Sequence, residues 1–472
     1  MLLPMAPTDS LFLHGESRDH PMHVGGLAIF TPPEGASAAD MRALLETALT
    51  RGHINAVFRK RARRSRTSLG QWGWETLAED EIDLGHHLRR DALPTPGGMS
   101  ELTTLVSRSH STLLDRSRPL WEMHLIEGLT DGRYAIYTKI HHALADGASA
   151  MRLLRESMSE EPDRRNMPAP WQVPQPPTPP AAPRPRSADS SRQESFRPEF
   201  WWNTARTAAS EVAGLVPATV KTLDRALRGK GGAISLAAPH TLFNVPIGGA
   251  RHVAARSFPL ERIRLLAKHS DASINDIVLT MCAGALRNYL HERGALPAAP
   301  LIAMVPVSLR ATDHPTDPTG NRVGVLMCNL ATQLPAPAQR LEAIRTCMNE
   351  GKNSLDTMSR AHVLAMSALG IAPLGMEMLL GHRGPQRPPF NIVISSLAGP
   401  STPLYWNGFR LDTLHPISIP TTGQALNITC TSNDDRIVFG LTSCRNTLPD
   451  LQPLLNHLDV ELDLLEARGV SG

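Results

Sequence analysis

Apolar residues recur along this chain at two spacings, every second position and every third or fourth, and the two kinds of stretch alternate. Ser37-x-x-Asp40 precedes Met41, Leu44, Leu45, Ala48 and Leu49, a capping-box start followed by one apolar helical face. Leu102, Leu105, Val106 and Leu113 predict a second helix over roughly 100–115. Tyr134 to Ile140, rich in β-branched and aromatic residues, predicts a strand, and Ala148 to Arg155 predicts a helix with Met151 and Leu154 on one side. From about 160 to 198 the periodicity gives way to Pro, Ser, Arg and Gln, with Pro176-Pro177 and Pro179-Pro180. Such a stretch cannot bury enough apolar surface to order itself, so it reads as a flexible linker.

Alternation resumes beyond it. Glu199 to Arg228 carries Trp201, Trp202, Val212, Leu215 and Val216 among polar residues and reads as a helix, taken here as core rather than an amphipathic surface helix. Ser273-x-x-Asp276 starts another helix, with Ile274, Ile277, Val278, Met281 and Ala285 inward. Leu301 to Val305 and Val323 to Met327 read as buried strands. Leu426 to Cys444 reads as a hairpin turning within Ser432 to Asp435, which sets Cys430 near Val438, and Leu448 to Ala467 as a closing helix. The expected organisation is a first α/β domain over 1–160, a linker over 161–198 and a second α/β domain over 199–472.

Composition narrows the setting. A chain of 472 residues exceeds one ordinary core, and a net charge of +3 argues against a dedicated nucleic-acid binder. Five cysteines, all in the second half and without paired spacing, point to reduced thiols and a cytoplasmic setting. The N-terminus has no basic n-region or cleavage site, and no apolar run approaches a membrane span, so membrane contact is expected to be peripheral. Arg59-Lys60-Arg61-Ala62-Arg63-Arg64-Ser65-Arg66 reads as a solvated helix or loop, a grip on phosphates, or a resting place on an anionic bilayer.

The candidate chemistry is concentrated in His141-His142-Ala143-Leu144-Ala145-Asp146-Gly147, between a strand and a helix. Imidazole suits general-base work near neutral pH. If the strand continues through the pair, alternation sends His141 and His142 to opposite sides, and only one faces a given channel. Asp146, before Gly-Ala-Ser, is also a good N-cap for the next helix, and Gly147 allows a tight turn or close backbone approach. A metal site is disfavoured, because adjacent ligands on opposite faces chelate poorly. His86-His87 lacks the Asp-Gly, and His20-x-x-His23 reads as loop or strand-edge structure.

In wider context the motif resembles HHxxxDG of the chloramphenicol-acetyltransferase-like acyltransferases. Further stretches resemble the bacterial wax ester synthase/diacylglycerol acyltransferases. These are Pro7 to Leu13, Pro21 to Gly26, Arg118-Pro119-Leu120-Trp121 with Gly128-Leu129, Ser273-Ile274-Asn275-Asp276, Val305 to Arg310 and Gly320-Asn321-Arg322. Where that family commonly has Ser-Asn-Val-Pro-Gly-Pro, this chain has Ser395-Ser396-Leu397-Ala398-Gly399-Pro400. The resemblance implies an α/β (α+β) fold of two chloramphenicol-acetyltransferase-like domains with the active site in a channel between them. It implies direct acyl transfer from acyl-CoA to diacylglycerol, making triacylglycerol, and also to long-chain alcohols, making wax esters, with no cofactor or metal. By the same pattern His142 is the general base and His141 supports the loop. Asp146 makes a structural ion pair, with Arg310 the candidate partner and Arg287 its rival, and Asn275 donates near the reacting carbonyl or oxyanion. A cytoplasmic protein held peripherally on the inner membrane face or on lipid inclusions is the expected setting.

Two other readings stay open on the residues: a condensation-type enzyme taking acyl groups from a carrier protein, and a lipid-binding protein that keeps the fold without catalysis. The absence of carrier or adenylation modules counts against the first, and the intact HHxxxDG against the second.

Overall fold

The computed structural model describes residues 2–50, 53–65, 70–173, 238–308, 323–356 and 388–469. Arg310, the Gly320-Asn321-Arg322 stretch, most of the linker and the helix expected over 199–228 lie outside the described residues. The first half runs β1 (Leu2–Pro4), α1 (Pro7–Gly15), β2 (His23–Thr31), α2 (Ala38–Thr50), β3 (Lys60–Arg64), β4 (Trp72–Thr76), α3 (Leu84–His87), β5 (Leu88–Ala92), α4 (Met99–His110), β6 (Trp121–Glu127), β7 (Tyr134–His141) and α5 (Gly147–Glu156). The second runs β8 (Arg251–Pro259), α6 (Leu260–His269), α7 (Ile274–Glu292), β9 (Ile302–Ser308), β10 (Val323–Asn329), α8 (Pro337–Asp356), β11 (Ile392–Leu397), β12 (Tyr405–Trp406), β13 (Phe409–Ile417), β14 (Leu426–Asn433), β15 (Arg436–Cys444) and α9 (Gln452–Gly469).

Two six-stranded mixed sheets organise these elements, in the orders β12-β13-β2-β7-β6-β5 and β10-β9-β11-β14-β15-β8, with a three-stranded sheet β1-β4-β3 at the side. The second sheet packs its core against α6, α7, α8 and α9. Helix starts follow local chemistry. At α7 the Ser273 hydroxyl accepts from the Asp276 backbone N–H, while the Asp276 carboxylate accepts from the Ser273 N–H and hydroxyl, a reciprocal cap.

Three sequence expectations are corrected and a fourth, the hairpin, is met. Strands β12 and β13 cross back from the second half to extend the first sheet, Ile417 pairing with Gly25. Leu404, Trp406, Phe409, Leu411 and Leu414 thus complete the core around Phe30 and Trp121, so a boundary at 199 does not separate the two cores. The stretch 161–173 is not loose. Trp171 is fully buried, and the Asn55 amide donates to the Val173 carbonyl at 2.6 Å, so one large apolar anchor outweighs the polar neighbours. The middle of the basic run, Lys60–Arg64, forms strand β3 after a short helical turn that ends at Arg59, because Ala62 turns inward beside Trp74 while Arg61 and Arg63 share Glu75 across the strand pair; Arg66 lies outside the described residues. The hairpin turns on two residues, Asp434 and Asp435, with Asp434 at φ 54°. That turn lies within the expected stretch and pairs Cys430 with Phe439, beside Val438 as its position implies.

Candidate active site

Strand β7 does what alternation requires of it. Ile136, Thr138, Ile140 and, one step past the strand end, His142 all line a cavity of about 890 Å³. Tyr137, Lys139 and His141 face the other way and are buried in the first half. The opposite cavity wall comes from the second sheet: Met304 and Pro306 of β9, Val393, Ser395 and Leu397 of β11, and Asn427 and Thr429 of β14. The space therefore lies between the two sheets, and it continues into the first-half core between Phe30, Phe58, Met123, Trp171 and Trp406. Its lining is largely aliphatic and aromatic, and its volume is near the top of the range of about 300–1,000 Å³ usual for small-molecule sites.

His142 is half-buried, and its backbone N–H donates to the Met22 carbonyl at 2.9 Å. The ring of Phe12 from α1 stacks on its imidazole, centroids 4.1 Å apart and planes 22° from parallel. Burial lowers the pKa of His142 below the usual histidine value; the Asp146 charge opposes this and His141 adds to it. The side chain is thus a neutral imidazole at physiological pH, able to accept a proton.

His141 is fully enclosed. Its Nδ1 accepts from the Ala143 backbone N–H at 3.1 Å, so Nε2 carries the proton and points at Glu16 Oε1, 3.3 Å away. Glu16 is in turn held by Arg116, Nε to Oε2 at 2.9 Å, and accepts from the Met22 N–H at 3.3 Å. Burial alone would raise the Glu16 carboxyl, but the His141 imidazole and the Arg116 guanidinium beside it outweigh that and bring it down to about 2. An ionised carboxylate therefore ties together the two segments that flank His142. Glu16 was not singled out in sequence, and Phe12 only as part of the Pro7 to Leu13 stretch, without a role; both lie about 125 to 130 residues from the histidines, with no local pattern linking them.

Asp146 is exposed and caps α5, its Oδ1 accepting from the Ser149 N–H at 2.8 Å. Among the described residues it forms no ion pair; Arg287 instead donates to the Thr332 carbonyl at 2.6 Å. Gly147 borders the cavity, and a Cβ there would sit 3.3 Å from Leu397 Cδ1, so the first turn of α5 and strand β11 meet closely at this point. Asn275, in the first turn of α7, is half-buried and does not line the cavity; its Oδ1 accepts from the Ser396 hydroxyl at 2.9 Å. In the departing loop, Gly399 leaves no room for a side chain, a Cβ falling 1.7 Å from the Ser432 carbonyl oxygen. The remaining histidine pair is structural: His87 Nδ1 bonds the Trp121 carbonyl at 2.8 Å, and the two rings stack at 4.4 Å.

Comparison with known proteins bears on the whole length. Residues 5–278 match the wax ester synthase/diacylglycerol acyltransferase catalytic domain, and residues 319–466 match the C-terminal domain of the same family. A Mycobacterium tuberculosis protein named as a diacylglycerol O-acyltransferase is 49% identical over 469 residues, covering 98% of this chain and 91% of the relative. A second from that organism, with the same activity in its name, is 45% identical over 467 residues, 99% of each chain. The solved wax ester synthase/diacylglycerol acyltransferase of Marinobacter aquaeolei VT8 superposes with a TM-score of 0.75 at 37% identity, covering 99% of both chains. The first condensation domain of the calcium-dependent antibiotic synthetase shares the fold, with a TM-score of 0.58 at 17% identity, covering 98% of this chain and 95% of that one.

Proposed function

Because the chain belongs to the wax ester synthase/diacylglycerol acyltransferase family, it is an acyltransferase, and we propose that it makes triacylglycerol by direct transfer from acyl-CoA to diacylglycerol, with His142 as the general base. The observation carrying this reading is the alternation of β7, which brings one neutral imidazole into a large apolar cavity between two sheets. A thioester is already activated, so the protein must position two substrates, remove one proton and stabilise one oxyanion. The acceptor hydroxyl gives its proton to His142 as its oxygen attacks the thioester carbonyl. The tetrahedral intermediate then collapses, the C–S bond breaks, and the departing thiolate takes the proton back from the imidazolium. No residue is acylated.

The apolar extension between Phe58, Trp171 and Trp406 suits a fatty acyl chain. Long-chain alcohols fit the same chemistry as second acceptors. Asp146 acts by capping the helix that follows His142, and Asn275 with Ser396 ties the start of α7 to β11.

Diacylglycerol resides in membranes and lipid inclusions, and the surface beside the cavity suits that source. Leu11 lines the cavity yet is 57% exposed, and Leu2 and Leu3 are exposed on neighbouring β1. Strand β3 adds Lys60 and Arg64 close by, Arg64 lying over Trp72 at 5.0 Å. Peripheral docking of this corner on an anionic lipid surface is part of the reading. Among the described residues no helix is long and apolar enough to cross a membrane. The direct experiment supplies purified protein with labelled oleoyl-CoA and either dioleoylglycerol or hexadecanol in anionic vesicles. Labelled triacylglycerol, with no label on the protein, supports the reading; a labelled protein intermediate or no lipid product contradicts it.

A further inference from the structure

The cavity is mostly aliphatic, with polar side chains at a few places on its wall, among them Thr138, Ser157, Ser418, Thr421 and Gln424, and a strip on the second sheet that faces His142's side from across the space. On β14, Asn427 and Thr429 face the cavity, and on the adjoining parallel strand β11 Ser395 lies in register with Thr429 and Val393 with Asn427. Asn427 and Thr429 are only 4% and 5% exposed. The Thr429 hydroxyl donates to Asn427 Oδ1 at 3.0 Å, which fixes the amide so that its NH₂ group is left for another partner. Among the described residues neither that NH₂ group nor the Ser395 hydroxyl has a hydrogen-bond partner. The amide of a buried Asn427 and the hydroxyl of a half-buried Ser395 thus stand one register step apart on the cavity wall. Both open into the cavity, and once an apolar substrate fills it and displaces water, donors left unmatched are costly, which argues for a ligand carrying acceptors at this depth.

We propose that Asn427 and Ser395 receive the two ester carbonyls of diacylglycerol and so set the preference for a diacylglycerol over a fatty alcohol. A fatty alcohol has no acceptor beyond its reacting hydroxyl. A diacylglycerol must desolvate two ester carbonyls to enter an apolar cavity, and the strip supplies one donor for each. Thr429 is a positioning residue that holds the Asn427 amide. The inference rests on the acyltransferase reading of this cavity and names the acceptor chemistry the cavity selects.

The amides of the pantetheine arm of coenzyme A offer carbonyls of similar chemistry, so the test varies the acceptor and holds the donor fixed. With oleoyl-CoA as donor, kcat/KM is measured for 1,2-dioleoylglycerol and for the ether analogue 1,2-di-O-oleylglycerol, which lacks both carbonyls. Wild-type protein should favour the ester by about 10-fold or more, the worth of two ordinary hydrogen bonds. In Ser395→Ala, Asn427→Leu and the double variant, the ester-to-ether ratio should fall towards unity. Equal use of ester and ether by wild-type protein overturns the proposal. So does a proportional loss with both acceptors, which is the mark of a pantetheine contact or of general damage. Binding of the two glycerides to wild-type protein, followed by thermal shift, makes the same ester-to-ether comparison without turnover. A protein that binds the ester preferentially but makes no product would keep the strip and reject the acyltransferase reading.

Discussion

Phe12 is the sharpest probe of how the fold prepares His142. Its ring covers one face of the imidazole at 4.1 Å, and burial is the largest cause of the lowered pKa there. Phe12→Ala removes both the stack and the cover. The stacking contact is worth about 0.5–1.5 kcal/mol in holding the ring, so its loss predicts a fall in kcat/KM of roughly 2- to 13-fold at pH 8. Protonation contributes little to that fall: even a pKa restored to 6.5 leaves more than nine-tenths of the imidazole neutral at pH 8. The second signature is therefore separate. The acid limb of the kcat/KM profile should move upward towards pH 6.5, because water reaches the imidazolium and stabilises it. Phe12→Trp should keep the limb where wild-type protein has it. The assay is initial-rate acyl transfer from oleoyl-CoA to dioleoylglycerol across pH 5–9. An acid limb unmoved in Phe12→Ala, with the rate intact at pH 8, would refute the idea that α1 tunes the base.

Other outcomes follow from the same geometry. Asp146→Ala should destabilise the protein by only about 1 kcal/mol, the usual worth of an N-cap, read as a small drop in melting temperature. A loss of about 3–5 kcal/mol would instead mark a broken buried ion pair. Stability should also fall below pH 6.5. Burial is the main cause that holds His87 and His415 at about 4 and His110 at about 3. The unfolded chain takes up protons at these residues near 6.5 while the folded chain does not, so their contribution is complete above 6.5 and shrinks as pH falls towards those values. Each loses about 1 kcal/mol between pH 6.5 and 5.5. His124 offsets part of the total, since its hydrogen bonds to Asp91 and Glu122 outweigh burial and raise its pKa. Thermal unfolding that is flat from pH 7.5 to 5.5 would contradict this account.

Local rules made much of the fold legible. The period of two from Tyr134 onward was enough to separate His141 from His142, because strand geometry leaves no other choice. Ser273 and Asp276 form the cap their spacing announces. What stayed hidden depends on residues far apart in sequence. Nothing in Phe409–Ile417 says that it will join β2, some 390 residues earlier. Nothing near Glu16 announces a histidine partner. The basic run misled for a related reason. Its charges suggest solvent, yet Arg59 spends its donors on the Ile54 and Leu77 carbonyls, and Arg61 and Arg63 face one carboxylate. Pairing across strands decided its form, and pairing is not a property of the run itself.

The most direct test of the central claim is the turnover of His142→Ala with oleoyl-CoA and dioleoylglycerol, measured on protein whose melting temperature matches wild type. Loss of the base that His142 presents to the cavity predicts a kcat reduced by about 10²- to 10⁴-fold, with acyl-CoA binding retained. Turnover within a few-fold of wild type would contradict the assignment of His142 as the base.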